Sequence, residues 1–137
     1  MKYALIIVIL IVLPLPLKGA TFSVGTVAER ETALAMADGN GEDDTIDVAP
    51  GTYYPTDTLS YDSHEDKNIS LQGIEGEVIR DGAYSNKRIL FMRTYTGNAS
   101  ISIKGIVFTN GYAPEGDNGA GIFVNVAHGD LAIENCH

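Results

Sequence analysis

Three polar residues that could bind a ligand recur at nearly regular intervals along the chain. Gln72, Lys104 and Glu134 are separated by 32 and then 30 positions, and each lies within a short apolar run. An amide, an ammonium group and a carboxylate in one row can form hydrogen bonds to a polar ligand. The same spacing also suits a solvated surface ladder in which Lys104 and Glu134 pair, which would contribute under about 1 kcal/mol.

A second group of candidate ligands lies in the polar stretch "YDSHEDKN". Asp62, Glu65 and Asp66 supply the oxygen ligands that Ca²⁺ prefers, so a calcium site is one hypothesis for them. Their spacing matches no D-x-D-x-D-G loop, and a solvated acidic loop explains the same residues. The glycine-rich stretch "PEGDNGAG" at 114–121 could also approach a cation, although ordinary turn chemistry accounts for its composition.

Three arginines cluster between these groups. Arg80 precedes an Asp-Gly turn, Arg88 opens the next apolar run, and Arg93 ends it. They could hold an acidic sugar, but charged side chains are usually solvated. We expect all three on outer, solvent-facing surfaces.

The N-terminus and the net charge limit the classes of protein to which this chain can belong. Lys2, the 14 apolar residues Ala4–Leu17 and the small residues after them predict a secretory signal over 1–20, with an uncleaved anchor as the alternative. Without that stretch the chain has 7 basic and 18 acidic residues, a net charge of −11. We therefore expect a secreted or cell-surface protein, no nucleic-acid partner and no cofactor except a possible Ca²⁺ ion.

Local patterns predict the elements that position these residues. A short strand over 22–24 precedes a capping box, with Thr26 as N-cap and Glu29 three residues later, which predicts a helix near 27–38. Ile46 and Val48 share one strand face. The polar stretch 55–68 is interpreted as a loop.

An internal repeat is the main feature of the remaining sequence. The segments "ISLQGI", "ISIKGI" and "LAIENC" align at 69–74, 101–106 and 131–136, and Ser70, Ser102 and Ala132 form a second polar column beside the first. A glycine or asparagine, both of which tolerate positive φ, lies at one fixed place in each copy and predicts a recurring left-handed corner. The aligned columns are Ile69/Ile101/Leu131, Leu71/Ile103/Ile133, Gly73/Gly105/Asn135 and Ile74/Ile106/Cys136.

Two further correspondences extend each copy to three strands. "VIRDG" at 78–82 aligns with "VFTNG" at 107–111 at an offset of 29. The segments 88–94 and 120–126 align at either 32 or 33, so their register stays open.

A strand followed by a corner, three times per copy, predicts an all-β solenoid. Equivalent strands of successive copies would pair in parallel about 4.8 Å apart and bury continuous apolar stacks. The prediction is a parallel β-helix over 45–137, preceded by a strand and a short capping helix over 21–44. A stack of hairpins or an antiparallel sandwich is the alternative.

The sequence resembles a known family at these same motifs. "DTIDVAPGTYY", "ISLQGI…VIRDG" and "ISIKGIVFTNG…GAGIFV…LAIENC" are similar to right-handed parallel β-helix proteins of the pectate-lyase-like superfamily, in particular large bacterial exported and adhesin-like proteins. The resemblance covers about 45–136 and implies a right-handed helix. Since such proteins have many more coils, it also implies that this chain is an N-terminal fragment.

The resemblance implies three alternative functions. The first is a non-catalytic scaffold for surface display, adhesion or carbohydrate binding, with polysaccharides or cell-surface components as partners and self-association through an open C-terminal coil. The second is a polysaccharide lyase or related carbohydrate-active enzyme, in which Lys104 would be the base and Glu134 a calcium ligand. The third is a truncated product without function.

Overall fold

The computed structural model describes residues 19–82, 87–113 and 121–137. All of the predicted signal except its last two residues lies outside this part of the chain. The candidate stretch 114–121 also lies outside it, apart from Gly121. Within the described residues, no helix is both long enough and apolar enough to span a membrane.

The described chain is predominantly β-structure with one helix. The elements in chain order are β1 (Thr21–Val24), α1 (Val27–Ala37), β2 (Asp44–Val48), β3 (Gly51–Tyr53), β4 (Leu59–Ser63), β5 (Ile69–Gly73), β6 (Val78–Asp81), β7 (Leu90–Thr94), β8 (Ile101–Lys104), β9 (Ile106–Thr109), β10 (Ile122–Asn125) and β11 (Leu131–Glu134).

The strands form three sheets in which every pairing is parallel. The largest has the order β1-β2-β5-β8-β11, and two three-stranded sheets have the orders β10-β7-β4 and β3-β6-β9. From β2 onward, each strand pairs with the strand three further along the chain, so consecutive strands belong to different sheets. The hairpin and antiparallel-sandwich alternatives are wrong, because they require antiparallel pairs and the described strands form only parallel ones.

The register confirms the main sequence repeat. Ile69, Ile101 and Leu131 are neighbours across β5, β8 and β11, as are the members of the Leu71 column. In the β10-β7-β4 sheet, Leu90 pairs with Ile122, which selects the offset of 32 that the sequence left open.

The predicted offset of 29 between the second strands is wrong. Val78 pairs with Ile106 and Arg80 with Phe108, an offset of 28. Ile74 is consequently not the neighbour of Ile106. The alignment matched two turn dipeptides, whereas buried Val78 and Ile106 share the inward position and thereby fix the register.

The recurring left-handed corner is only partly as predicted. Gly105 and Asn135 have φ values of 65° and 53°, but Gly73 is the last residue of β5, and Glu75, with φ 56°, adopts the left-handed conformation instead. Gly73 is needed for a different reason. A Cβ atom there would lie 2.4 Å from the carbonyl oxygen of Gly105, so only glycine permits the close approach.

The interpretation of 55–68 as a loop is also wrong in its centre. β4 occupies Leu59–Ser63, and Leu59, Tyr61 and Ser63 are buried in alternation with exposed or half-buried residues. Two of the five residues are serine and one is aspartate, which hid the period of two from a hydrophobicity argument.

Helix α1 confirms the predicted capping signal. The Thr26 side chain accepts a hydrogen bond from the Glu29 amide at 3.1 Å, and the Glu29 carboxylate accepts one from the Gly25 amide at 2.8 Å. Its buried face packs on strands β1, β2 and β4. A single apolar core joins α1 to all three sheets, with Ile46, Val78 and Met92 among its members.

Candidate functional site

A row of polar side chains crosses the outer face of the five-stranded sheet. The parallel register places Asp47, Gln72, Lys104 and Glu134 side by side, and we call these four residues the polar row. The predicted grouping of Gln72, Lys104 and Glu134 is therefore an observed juxtaposition. Asp47 extends it, and sequence reasoning missed this residue.

Contacts within the polar row are of two kinds. The Gln72 amide donates to Asp47 Oδ1 at 2.7 Å. The Lys104 ammonium group lies 3.6 Å from Glu134 Oε2, and the two side chains are 51% and 59% exposed. An ion pair so exposed contributes little to stability, so these groups are available to an incoming polar ligand.

A second row of small side chains lies beside the polar row. It contains Thr21, Thr45, Ser70, Ser102 and Ala132, and forms the floor of a groove with a volume of about 450 Å³. Neighbouring members lie on adjacent strands, about 4.8 Å apart. The floor therefore presents evenly spaced hydroxyl groups that run across the strands.

The far wall of the groove is held by a ladder of hydrogen bonds between loops. The Asn68 backbone N–H donates to Asp43 Oδ1 at 2.9 Å, and the Ser100 backbone N–H donates to Asn68 Oδ1 at 2.9 Å. The Asp130 backbone N–H donates to Ser100 Oγ at 3.0 Å. We call these four residues the loop ladder. The side chains of the first three each accept a hydrogen bond from a backbone N–H of the following loop, which fixes the spacing of the wall.

The groove combines hydrogen-bonding groups with a negative charge. Its described lining includes the acidic residues Asp43 and Asp130 and no basic side chain. Asp44 also borders the groove, but its side chain is buried on the inner face of β2. Burial raises the pKa of Asp44, which also accepts a hydrogen bond from Asn40. The arrangement can bind an extended, hydroxyl-rich molecule that is neutral or positively charged.

The calcium candidates Asp62, Glu65 and Asp66 bond to three different partners. Asp62 accepts hydrogen bonds from Arg93 Nε at 2.8 Å and Nη2 at 3.0 Å, and this contact lowers the pKa of its carboxyl group. Glu65 accepts a hydrogen bond from the Gly41 backbone N–H, and Asp66 accepts one from the Asn98 backbone N–H.

Within the described residues, no group of three or more histidine, cysteine or acidic side chains is arranged to hold a metal ion. Calcium binding by Asp62, Glu65 and Asp66 stays a prediction.

The three arginines do not share one environment. Arg93 lies over the Tyr95 ring, 4.3 Å from its centroid, and Arg88 lies over Phe123 at 5.2 Å, so both belong to an outer aromatic surface. Arg80 is fully buried, and its predicted solvent-facing position is wrong. The period of two explains the error, because Arg80 follows buried Val78 by two residues and points to the same side.

Sequence reasoning also missed the residues that β2 contributes to the groove and to the polar row beside it. Thr45 and Asp47 alternate with buried Ile46 and Val48 in the same way that Ser70 and Gln72 alternate with Leu71. Aligning "DTID" at 44–47 with "ISLQ" at 69–72 would have found both residues. The loop ladder leaves no comparable signal, because its members are ordinary loop residues.

Comparison with known proteins identifies no relative of this chain. The chain matches no protein-family model, no curated protein and no solved structure. Its class is therefore defined by its own architecture: a predominantly β chain with three parallel sheets, one helix and a polar groove on the largest sheet.

Proposed function

We propose that this chain is a right-handed parallel β-helix that binds an extended polysaccharide in its groove without catalysing a reaction. The order in which every third strand pairs supports the helical path, and so does the single core shared by the three sheets. The right hand is supported by the strong preference of parallel crossover connections for that hand. The proposed setting is outside the cell or at its surface, in keeping with the predicted signal over 1–20.

The groove floor is the observation that carries this proposal. It runs across five strands, a length of about 19 Å at the usual strand spacing, which suits several consecutive sugar units. Thr45, Ser70 and Ser102 offer hydroxyl groups along this line, while the polar row and the loop ladder flank it. Repeated hydrogen-bonding groups match the repeated hydroxyl groups of a glycan.

The charge of the groove limits which class of polysaccharide we propose as its ligand. The carboxylates of Asp43 and Asp130 repel an acidic polymer, whereas complementary charge favours a polymer that is neutral or carries amino groups. We therefore propose that chitosan binds more tightly than a neutral glucan, and that polygalacturonate binds least.

A binding panel with those three polymers tests the proposal. Calorimetry should rank them in that order, and Ser102→Trp should abolish binding because the indole would fill the floor. Ser60→Trp is the matched control, since Ser60 is exposed on β4, in another sheet. Binding that survives Ser102→Trp, or failure to bind any of the polymers, would contradict the proposal.

The lyase alternative has its own readout. If the protein with calcium formed an unsaturated product from polygalacturonate, and Lys104→Ala abolished that product, the non-catalytic proposal would be wrong. In such a reaction Lys104 would have to leave its contact with Glu134, 3.6 Å away, because the ion pair favours the protonated amine and occupies the carboxylate.

We also propose that copies of this chain associate through an apolar end. Leu131 and Ile133 are 47% and 46% exposed, and Ile133 lines a depression with Phe108, Ile122 and Cys136. Contact between two such ends would bury this surface and satisfy the edge strands.

A further inference from the structure

Two arginine side chains lie in the core without a hydrogen-bonding partner among the described residues. Arg30 belongs to the buried face of α1 and Arg80 to the inward side of β6, and both are 0% exposed. The Nε, Nη1 and Nη2 atoms of each guanidinium group are fully enclosed, and none of them makes a hydrogen bond of normal geometry to a described residue.

The aromatic residue between these elements does not replace such a partner. Arg30 Cζ lies 4.0 Å from the centroid of the Tyr53 ring, a favourable cation–π distance, and Tyr53 is the strand neighbour of Arg80. The ring face carries no full charge, however, and the Tyr53 hydroxyl group, which donates its proton to the Ala49 carbonyl at 2.7 Å, is a neutral acceptor that supplies no negative charge.

Two neighbouring positive charges in a core need a compensating negative charge. A buried ion without a partner is costly, and a guanidinium group does not escape that cost by losing its proton near neutral pH. Burial lowers the pKa of Arg30 only to about 10, so it stays charged at pH 7. Burial and the charge of Arg30 lower the pKa of Arg80 as well.

Side chains of the described core do not supply that charge. Asp44 is the acidic member of the buried set, and its carboxylate accepts a hydrogen bond from Asn40 at 2.9 Å. It belongs to β2 in the five-stranded sheet, whereas Arg80 belongs to the β3-β6-β9 sheet. The counter-charge for the two arginines therefore has to come from outside the described chain.

We propose that Arg30 and Arg80 together bind one small inorganic anion of the chloride type in the core between α1 and β6. The enclosure of both guanidinium groups favours a halide over a larger oxyanion or an organic carboxylate. The convergence of a residue from α1 with one from β6 would make the anion part of the fold, joining the helix to the second strand of the repeat. This site is separate from the groove and does not depend on the proposed function.

Chloride-dependent stability of the full chain tests the site. Urea unfolding would be followed at rising sodium chloride, with sodium gluconate holding the ionic strength constant. Because an anion that binds only the folded state stabilises it by mass action, the folding equilibrium constant should rise up to tenfold for each tenfold increase in chloride above its dissociation constant.

Substitutions separate this site from a general salt effect. The double variant Arg30→Met with Arg80→Met retains the aliphatic volume and should show no difference between chloride and gluconate. Arg93→Met is the matched control, because Arg93 pairs with Asp62 at the surface, and it should keep the full chloride dependence. A wild-type protein with equal stability in both salts, or a double variant that keeps the dependence, would overturn the proposal.

Crystals grown in sodium bromide provide a second measurement that does not depend on variant folding. Anomalous scattering should place a bromide ion within hydrogen-bonding distance of both guanidinium groups. Bromide peaks at the surface only, with neither arginine near a peak, would overturn the assignment.

Discussion

At the scale of single residues, the contact between Asp62 and Arg93 links two strands of the β10-β7-β4 sheet. Arg93 donates two hydrogen bonds to the carboxylate, which lowers the pKa of Asp62 below its ordinary value. A folded-state pKa below the unfolded value stabilises the protein above about pH 4, and this contribution is lost as pH falls through the folded value.

We therefore predict a pH-dependent effect of Asp62→Asn. At pH 7 the variant should have a lower free energy of unfolding than wild type in urea, by under about 1 kcal/mol because the pair is partly exposed. The difference should shrink as pH falls below about 4. Glu77→Gln, at an exposed loop position, is the control and should match wild type at pH 7. A difference between Asp62→Asn and wild type that persists unchanged in acid would show that the ion pair is not its cause.

A second residue-scale prediction concerns the close approach at Gly73. Gly73→Ala would place a methyl group against the Gly105 carbonyl and should destabilise the fold by about 1–3 kcal/mol, as overpacking does. Gly39→Ala is the matched control, since a Cβ atom there meets no atom within 4 Å. Equal urea midpoints for the two variants would contradict the register of β5 against β8.

Sequence patterns predicted some residue roles and not others, for identifiable reasons. The row of Gln72, Lys104 and Glu134 was predictable, because a parallel ladder brings residues at matching places in successive copies next to one another. Arg80 was not, because charged residues are rarely buried and that expectation outweighed its alternation with Val78. Its burial depends on the core of the whole molecule rather than on the neighbouring sequence.

At the scale of elements, α1 is the part of the fold that the sequence predicted best. Its start depends on one local contact, from the Glu29 amide to the Thr26 hydroxyl group, which a capping motif encodes within four residues. The β6 register and the existence of β4 escaped prediction, because both depend on partners about 30 residues away.

The capping contact supplies the element-scale prediction. Thr26→Ala should lower the free energy of unfolding by about 0.5–2 kcal/mol, because the Glu29 amide would lose its acceptor. Thr32→Ala, on the exposed side of the same helix, should change it less, since the hydrogen bond of Thr32 within the described residues goes to the Ala28 carbonyl of the same helix. A larger loss for Thr32→Ala than for Thr26→Ala, in thermal or urea unfolding, would contradict this account.

At the scale of the whole molecule, the proposed self-association depends on side chains of β11. Ile133→Lys should shift the protein from oligomer to monomer in sedimentation velocity at high concentration, because it places a charge in the apolar end. Ala132→Lys is the control, since Ala132 belongs to the same strand but faces the groove. A wild-type protein that stays monomeric at high concentration would contradict the proposed contact.

The central proposal is that one groove on the five-stranded sheet receives an extended glycan. Its most direct measurement is an NMR titration of the ¹⁵N-labelled protein with a chitosan oligosaccharide. The account predicts that the largest amide shifts fall on Thr45, Ser70 and Ser102 and on the loop ladder beside them, while β6 and β9 stay unchanged. Shifts centred on any other surface, or none at saturating oligosaccharide, would contradict it.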